Sequence, residues 1–154
     1  MTEAEITPSA CDVAQFIMET CGPMTIMKLQ KLVYYSQAWS IVWDDDLIFQ
    51  DAIEAWDNGP VVRKLWDITK GNFRVSAIAN GNSGALSENQ KLTIMRVLEF
   101  YGNKDAQWLS DLTHLEKPWN EAHKKGLNTE ISLQTVSEYY SSIPHETAQP
   151  ALKQ

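Results

Sequence analysis

Thr25-Ile-Met-Lys-Leu-Gln-Lys-Leu-Val-Tyr-Tyr-Ser-Gln-Ala-Trp-Ser-Ile-Val-Trp43 is the stretch that decides the fold. The Thr25 hydroxyl can cap a helix. Behind it Ile26, Met27, Leu29, Leu32, Val33, Tyr35, Ala38, Trp39, Val42 and Trp43 fall on nearly every side of a helical wheel. A helix that is apolar all round belongs in the middle of a fold. The spacing therefore predicts a mainly α, compact multi-helix domain built around a buried central helix over about 25–43.

Upstream, Gly22-Pro23 breaks the chain. Ahead of that break Ser9 and Asp12 form a capping-box pair, and Val13, Phe16, Ile17 and Cys21 recur at helical spacing, predicting a helix from about 10 to 21. Downstream, Leu47-Ile48-Phe49 and Ala52-Ile53-Glu54-Ala55-Trp56 are short and β-friendly, so one small β-hairpin or extended pair is expected near 47–56. Pro60 then suits the first position of a third helix carrying Val61, Val62, Leu65 and Trp66, which fades near Lys70-Gly71. Residues 72–86 are polar and Gly-rich, as in a mobile surface loop. Ser87 with Gln90 caps the next helix and Gly102 stops it; shorter helices follow over 105–112 and 118–125. Ser132 caps a last helix that Pro144 ends. One domain over 9–143 is expected, with a flexible N-terminus at 1–8 and a disordered tail at 144–154.

A chain of 154 residues can bury a core of its own. Twenty acidic residues against thirteen basic give a net charge of -7, which disfavours general nucleic-acid binding and favours a basic partner. No apolar run is long enough for a membrane helix and the N-terminus lacks the pattern of a signal peptide, so a soluble, cytoplasmic protein without membrane association is expected. Cys11 and Cys21, ten positions apart on one helix, are separated by about 15 Å, too far for a disulfide. Both are expected to be small buried apolar residues.

No phosphate loop, paired-thiol zinc spacing or nucleophile elbow is present, so no enzyme activity, cofactor or metal is expected. His114, Glu116 and His123 match no usual metal spacing; a metal-dependent hydrolase built on them is the enzymatic alternative. Asp44, Asp45, Asp46, Asp51, Glu54 and Asp57 fall in a window with no Lys or Arg between Lys31 and Arg63. That window reads either as a solvated turn or as an acidic patch that steers a basic protein surface. In Leu112-Thr-His-Leu-Glu-Lys-Pro-Trp119, Thr113 and Glu116 form a possible capping box, Pro118 starts a helix, and Trp119 either plugs the core or faces a partner. The same alternatives stand for Trp39 and Trp56. Lys28 and Lys31 are expected to be solvent-exposed on the central helix or to meet a partner.

Three segments together resemble the Panacea domain, the antitoxin domain family typified by the SocA antitoxin and also found in phage-associated proteins of the GepA type. Met24-Thr-Ile-Met-Lys-Leu-Gln-Lys-Leu-Val-Tyr-Tyr-Ser-Gln-Ala-Trp39 is similar to the family's Thr-x-x-Lys-Leu-Gln-Lys-Leu opening. Trp56-Asp-Asn-Gly-Pro-Val61 is similar to its Trp-x-x-Gly-Pro-Val turn, and Leu112-Thr-His-Leu-Glu-Lys-Pro-Trp-Asn-Glu-Ala122 to its Thr-His-x-x-x-Pro-Trp corner. The resemblance spans about residues 8–143. It implies a helical domain that neutralises a cognate protein toxin by direct contact; some members instead act as adaptors that deliver a toxin to a protease. A protease adaptor or a phage host-modulation protein is therefore the alternative. Many members carry an extra DNA-binding module, for which this length leaves no room, so transcriptional autoregulation is not expected. Partner-binding residues are expected among Thr25, Lys28, Lys31, Asp44, Asp45, Asp46, Trp56, Thr113, His114 and Trp119, with Gly59, Pro60 and Pro118 architectural. The toxin is expected to present a basic active-site surface.

Overall fold

The structure is a computed structural model that describes residues 7–143. The expectations for 1–6 and 144–154 lie outside the described residues; the last helix, expected to run up to Pro144, ends at Ser141. Among those described, seven α-helices are accompanied by two small antiparallel sheets. No helix there is long and apolar enough to cross a membrane.

The fold is mainly α and is organised by α2 (Ile26–Asp44), as its apolar wheel demands. Every residue from Leu29 to Ser40 is buried, because α1 (Ala10–Cys21), α4 (Glu88–Tyr101), α5 (Ala106–His114) and α7 (Leu133–Ser141) pack around it. The remaining helices are α3 (Arg63–Thr69) and α6 (Lys117–Lys125). Helix starts follow the local chemistry read from sequence. Ser9 and Asp12 close a capping box on α1, Ser87 and Gln90 close one on α4, and the Thr25 and Ser132 hydroxyls cap α2 and α7.

Strands depart from expectation. The hairpin pairs β2 (Ile53–Trp56) with β3 (Gly59–Val62), Trp56 opposite Gly59, and residues 47–49 take no part. The reason is a side chain of α2. Gln37 accepts the Ile48 and Phe49 amides (2.8 and 3.4 Å) and donates to the Phe49 carbonyl (2.7 Å), occupying backbone groups that a strand partner would need. Pro60 likewise lies in β3 and does not open a helix. β3 is an edge strand, where a missing N–H is tolerated, and α3 begins only at Arg63. β5 (Thr129–Glu130) pairs with the other edge of β2.

The polar segment 72–86 is tied down. Within it β4 (Arg74–Val75) pairs with β1 (Met24–Thr25), Gln15 and Asp12 of α1 accept the Ile78 and Asn82 amides, and Ile78 and Leu86 are buried. Of the two cysteines, Cys11 is buried but Cys21 is exposed, since it closes α1 at the surface; both are free thiols. Trp39 is fully buried in a cluster with Tyr34, Tyr35, Tyr101 and Tyr140, so its role is in the core.

Candidate functional site

The β2–β3 turn is held from two sides by residues distant in sequence. On one side the α5–α6 corner donates to three successive backbone carbonyls. Trp119 Nε1 bonds Trp56 O at 2.8 Å, His114 Nε2 bonds Asp57 O at 3.0 Å, and Ser110 Oγ bonds Asn58 O at 2.6 Å. His123 Nε2 adds a bond to Asp57 Oδ1 at 3.1 Å. Trp119 is 8% exposed and lies between the imidazoles of His114 and His123, with ring centroids at 4.2 and 4.3 Å. Asp57 and Asn58, the two residues of the turn, have carbonyls without strand partners, and this corner supplies their donors. On the other side Gln30 of α2 accepts the Val62 amide (2.8 Å) and donates to the Val62 carbonyl (3.2 Å).

Lys31 runs between these two clamps. Gly59 has φ +119°, and a Cβ there would stand 2.5 Å from Lys31 Cε and 2.9 Å from Thr113 Oγ1. Only glycine allows both the backbone angle and the approach. Residues from the three motifs, Lys31, Gly59 and Thr113, thus converge on one point.

The expected solvent exposure of Lys31 is overturned, since only 1% of the residue is exposed. Its ammonium has no hydrogen-bond or ion-pair partner among the described residues. Burial pushes its pKa down to about 8, with no neighbouring carboxylate offsetting the loss of water. Lys31 lines a cleft of about 330 Å³. The walls are apolar, formed by Ile26, Met27, Val61 and Leu127 with the indoles of Trp56 and Trp66, whose centroids are 5.2 Å apart. Asp57, Asn58 and Asn128 add polar groups. Leu127 is 76% exposed, so part of the lining is an apolar side chain standing in water.

The expected partner-binding residues therefore divide. Lys31, Trp56, Thr113, His114 and Trp119 are brought together. Thr25 is the α2 cap, its Oγ1 accepting the Lys28 amide, and Lys28 is half-buried in the first turn. Asp44, Asp45 and Asp46 lie at the far end of α2, roughly 20 Å along its axis from Lys31. Asp44 accepts from Thr93 Oγ1 at 2.6 Å, while Asp45, at φ +53°, and Asp46 are exposed. The rest of the acidic window is partly engaged inside the fold. Asp51 accepts the Ala10 amide and faces Lys64, and Glu54 faces Trp56 Nε1 and Arg63. Gly59 and Pro60 are buried in the hairpin, and Pro118 sits in the first turn of α6.

The Thr113–Glu116 capping box does not form. Thr113 Oγ1 donates to Ser110 O, and Glu116 turns inward. Its Oε1 accepts from Tyr35 OH (2.8 Å) and Tyr140 OH (2.6 Å), and Tyr140 OH lies 2.9 Å from Tyr34 OH. Burial pushes the Glu116 carboxyl up to about 7, outweighing the opposing effect of the two hydroxyls. Glu116 is therefore committed to the core and does not join His114 and His123, which brace the hairpin. Among the described residues no three His, Cys, Asp or Glu side chains are grouped to hold a metal ion.

Sequence reasoning did not find Met27, Gln30, Val61, Trp66, Leu127 or Asn128 as site residues. A glutamine within an all-apolar helix was the one available signal, because a buried amide demands partners. Leu127 and Asn128 reach the cleft only through the tertiary fold.

The family model for the antitoxin SocA-like, Panacea domain matches residues 29–120, which include the Gln30–Lys31 pair, the whole hairpin and the Thr113–Trp119 corner. The chain belongs to this family. No curated protein and no solved structure matches it. In this Panacea domain the three motifs therefore build one clamp around the β2–β3 turn, with Lys31 enclosed beneath it.

Proposed function

We propose that this chain is an antitoxin that neutralises a cognate protein toxin by direct binding, acting in the cytoplasm. Membership of the SocA-like Panacea family supports the protein-partner reading. The observation that carries it to a surface is the cleft beside Trp56 and Trp66. A preformed apolar pocket with large aromatics, backed by a doubly clamped hairpin, has the build of a binding hot spot, because little conformational entropy is lost when a partner residue enters. The exposed Asp45, Asp46 and Asp57 give the molecule acidic points that favour approach of a basic toxin surface. Neutralisation then follows from occupancy: a toxin whose active-site face is covered cannot reach its substrate.

The test is co-expression with the adjacent open reading frame. That frame alone should arrest growth, and together with this chain it should permit growth and yield a stable complex on purification. A harmless neighbour, or a toxic one left unrelieved, contradicts the proposal. The partner's half-life separates direct neutralisation from delivery to a protease, since an adaptor shortens it and an inhibitor does not.

A further inference from the structure

The cleft is matched to more than an apolar side chain, because one of its lining residues is a cation that pairs with none of the described residues. Lys31 is 1% exposed, no carboxylate of the described residues reaches it, and its stem runs against Gly59. Leaving an ammonium in such a place is costly unless an anion or strong acceptor completes it. Asp57 is the one acid in the lining, but its carboxylate is held by His123 and its side chain is 78% exposed. Of the remaining polar side chains of the lining, Gln30 is taken up by Val62, while Asn58 and Asn128 offer amide donors. At about 330 Å³ the cleft is at the small end of ligand pockets, room for a single residue and not for an extended segment.

We propose that the cleft receives the C-terminal residue of the partner protein, its apolar side chain against the contacting indoles of Trp56 and Trp66 and its free carboxylate on the Lys31 ammonium. A chain end is the occupant that combines an apolar body and a carboxylate within one residue, and it needs no room for chain continuing beyond. The proposal rests on the protein-partner reading above. It also implies that capture weakens as pH rises past about 8, where Lys31 loses its proton.

The experiment uses the full chain and short peptides, N-acetyl-Gly-Gly-Phe with a free carboxylate and the same peptide amidated, followed by the indole N–H signals of Trp56 and Trp66. The free acid should shift both signals saturably and bind at least about tenfold more tightly than the amide. Lys31→Met should erase that difference while the rest of the spectrum reports an intact fold. Should Lys31→Met not fold, raising the pH of the parent protein from 7 to 9 performs the same discharge, and the acid's advantage should shrink about tenfold. Equal binding of acid and amide by the parent, or an advantage that survives loss of the Lys31 charge, overturns the proposal. Growth rescue by a chain whose cleft ignores the acid would sink this inference alone; a cleft that selects the acid in a chain that rescues nothing would sink the antitoxin reading alone.

Discussion

Lys31 and Glu116 place two ionisable groups in the interior, and each titrates away from its usual range. For Glu116 the folded carboxyl holds its proton up to about 7. Its contribution to stability is complete below the ordinary value of 4.5 and is lost as pH rises toward 7, because there the unfolded chain binds fewer protons. For Lys31 the folded amine releases its proton near 8, so its contribution is complete above 10.5 and lost as pH falls toward 8. Together they place the weakest point of the profile between about 7 and 8. Denaturant titrations across pH should show Glu116→Gln flattening the slope between 4.5 and 7, and Lys31→Met flattening the slope between 8 and 10.5. A parent profile without either slope contradicts these assignments. Gly59→Val tests the close approach: with φ at +119° and Lys31 Cε in the way, it should cost on the order of 2–4 kcal/mol, read as a fall in denaturation midpoint. The need for glycine at residue 59 was legible from its motif. The burial of Lys31 was not, because a lysine on an apolar wheel reads as a surface residue until the element that covers it is known.

At the scale of elements, what is local was legible and what is tertiary was not. The capping pairs Ser9 with Asp12 and Ser87 with Gln90 sit within one helical turn, so the starts of α1 and α4 could be read directly. The hairpin was misplaced because two glutamines one above the other on α2, Gln30 and Gln37, decide which flanking residues can pair, and neither bond is visible along the sequence. The α5–α6 corner has the same character. Its Pro-Trp motif predicted a bend, whereas its task is to supply donors to Trp56, Asp57 and Asn58. Trp119→Phe keeps a ring between the two histidines but removes the indole bond to the Trp56 carbonyl. The expected loss is about 1–2 kcal/mol in chemical denaturation. An unchanged midpoint would mean that the indole N–H does not hold the turn.

For the whole molecule, the clamp brings Lys31, Gly59 and Thr113 to one point, and of the three Lys31 lines the cleft that the hairpin borders. The face around that pocket should then be where neutralisation fails when it is altered, while other apolar exposures should be indifferent. Leu127, 76% exposed in the cleft lining, and Met95, 45% exposed on α4, provide the contrast. Neither side chain is in the core, so an aspartate at either position should leave the fold intact. The decisive measurement is growth of cells carrying the adjacent open reading frame with the parent chain, with Leu127→Asp, or with Met95→Asp, the three chains matched for abundance. Rescue by the parent and by Met95→Asp but not by Leu127→Asp is the predicted result; full rescue by Leu127→Asp would contradict it.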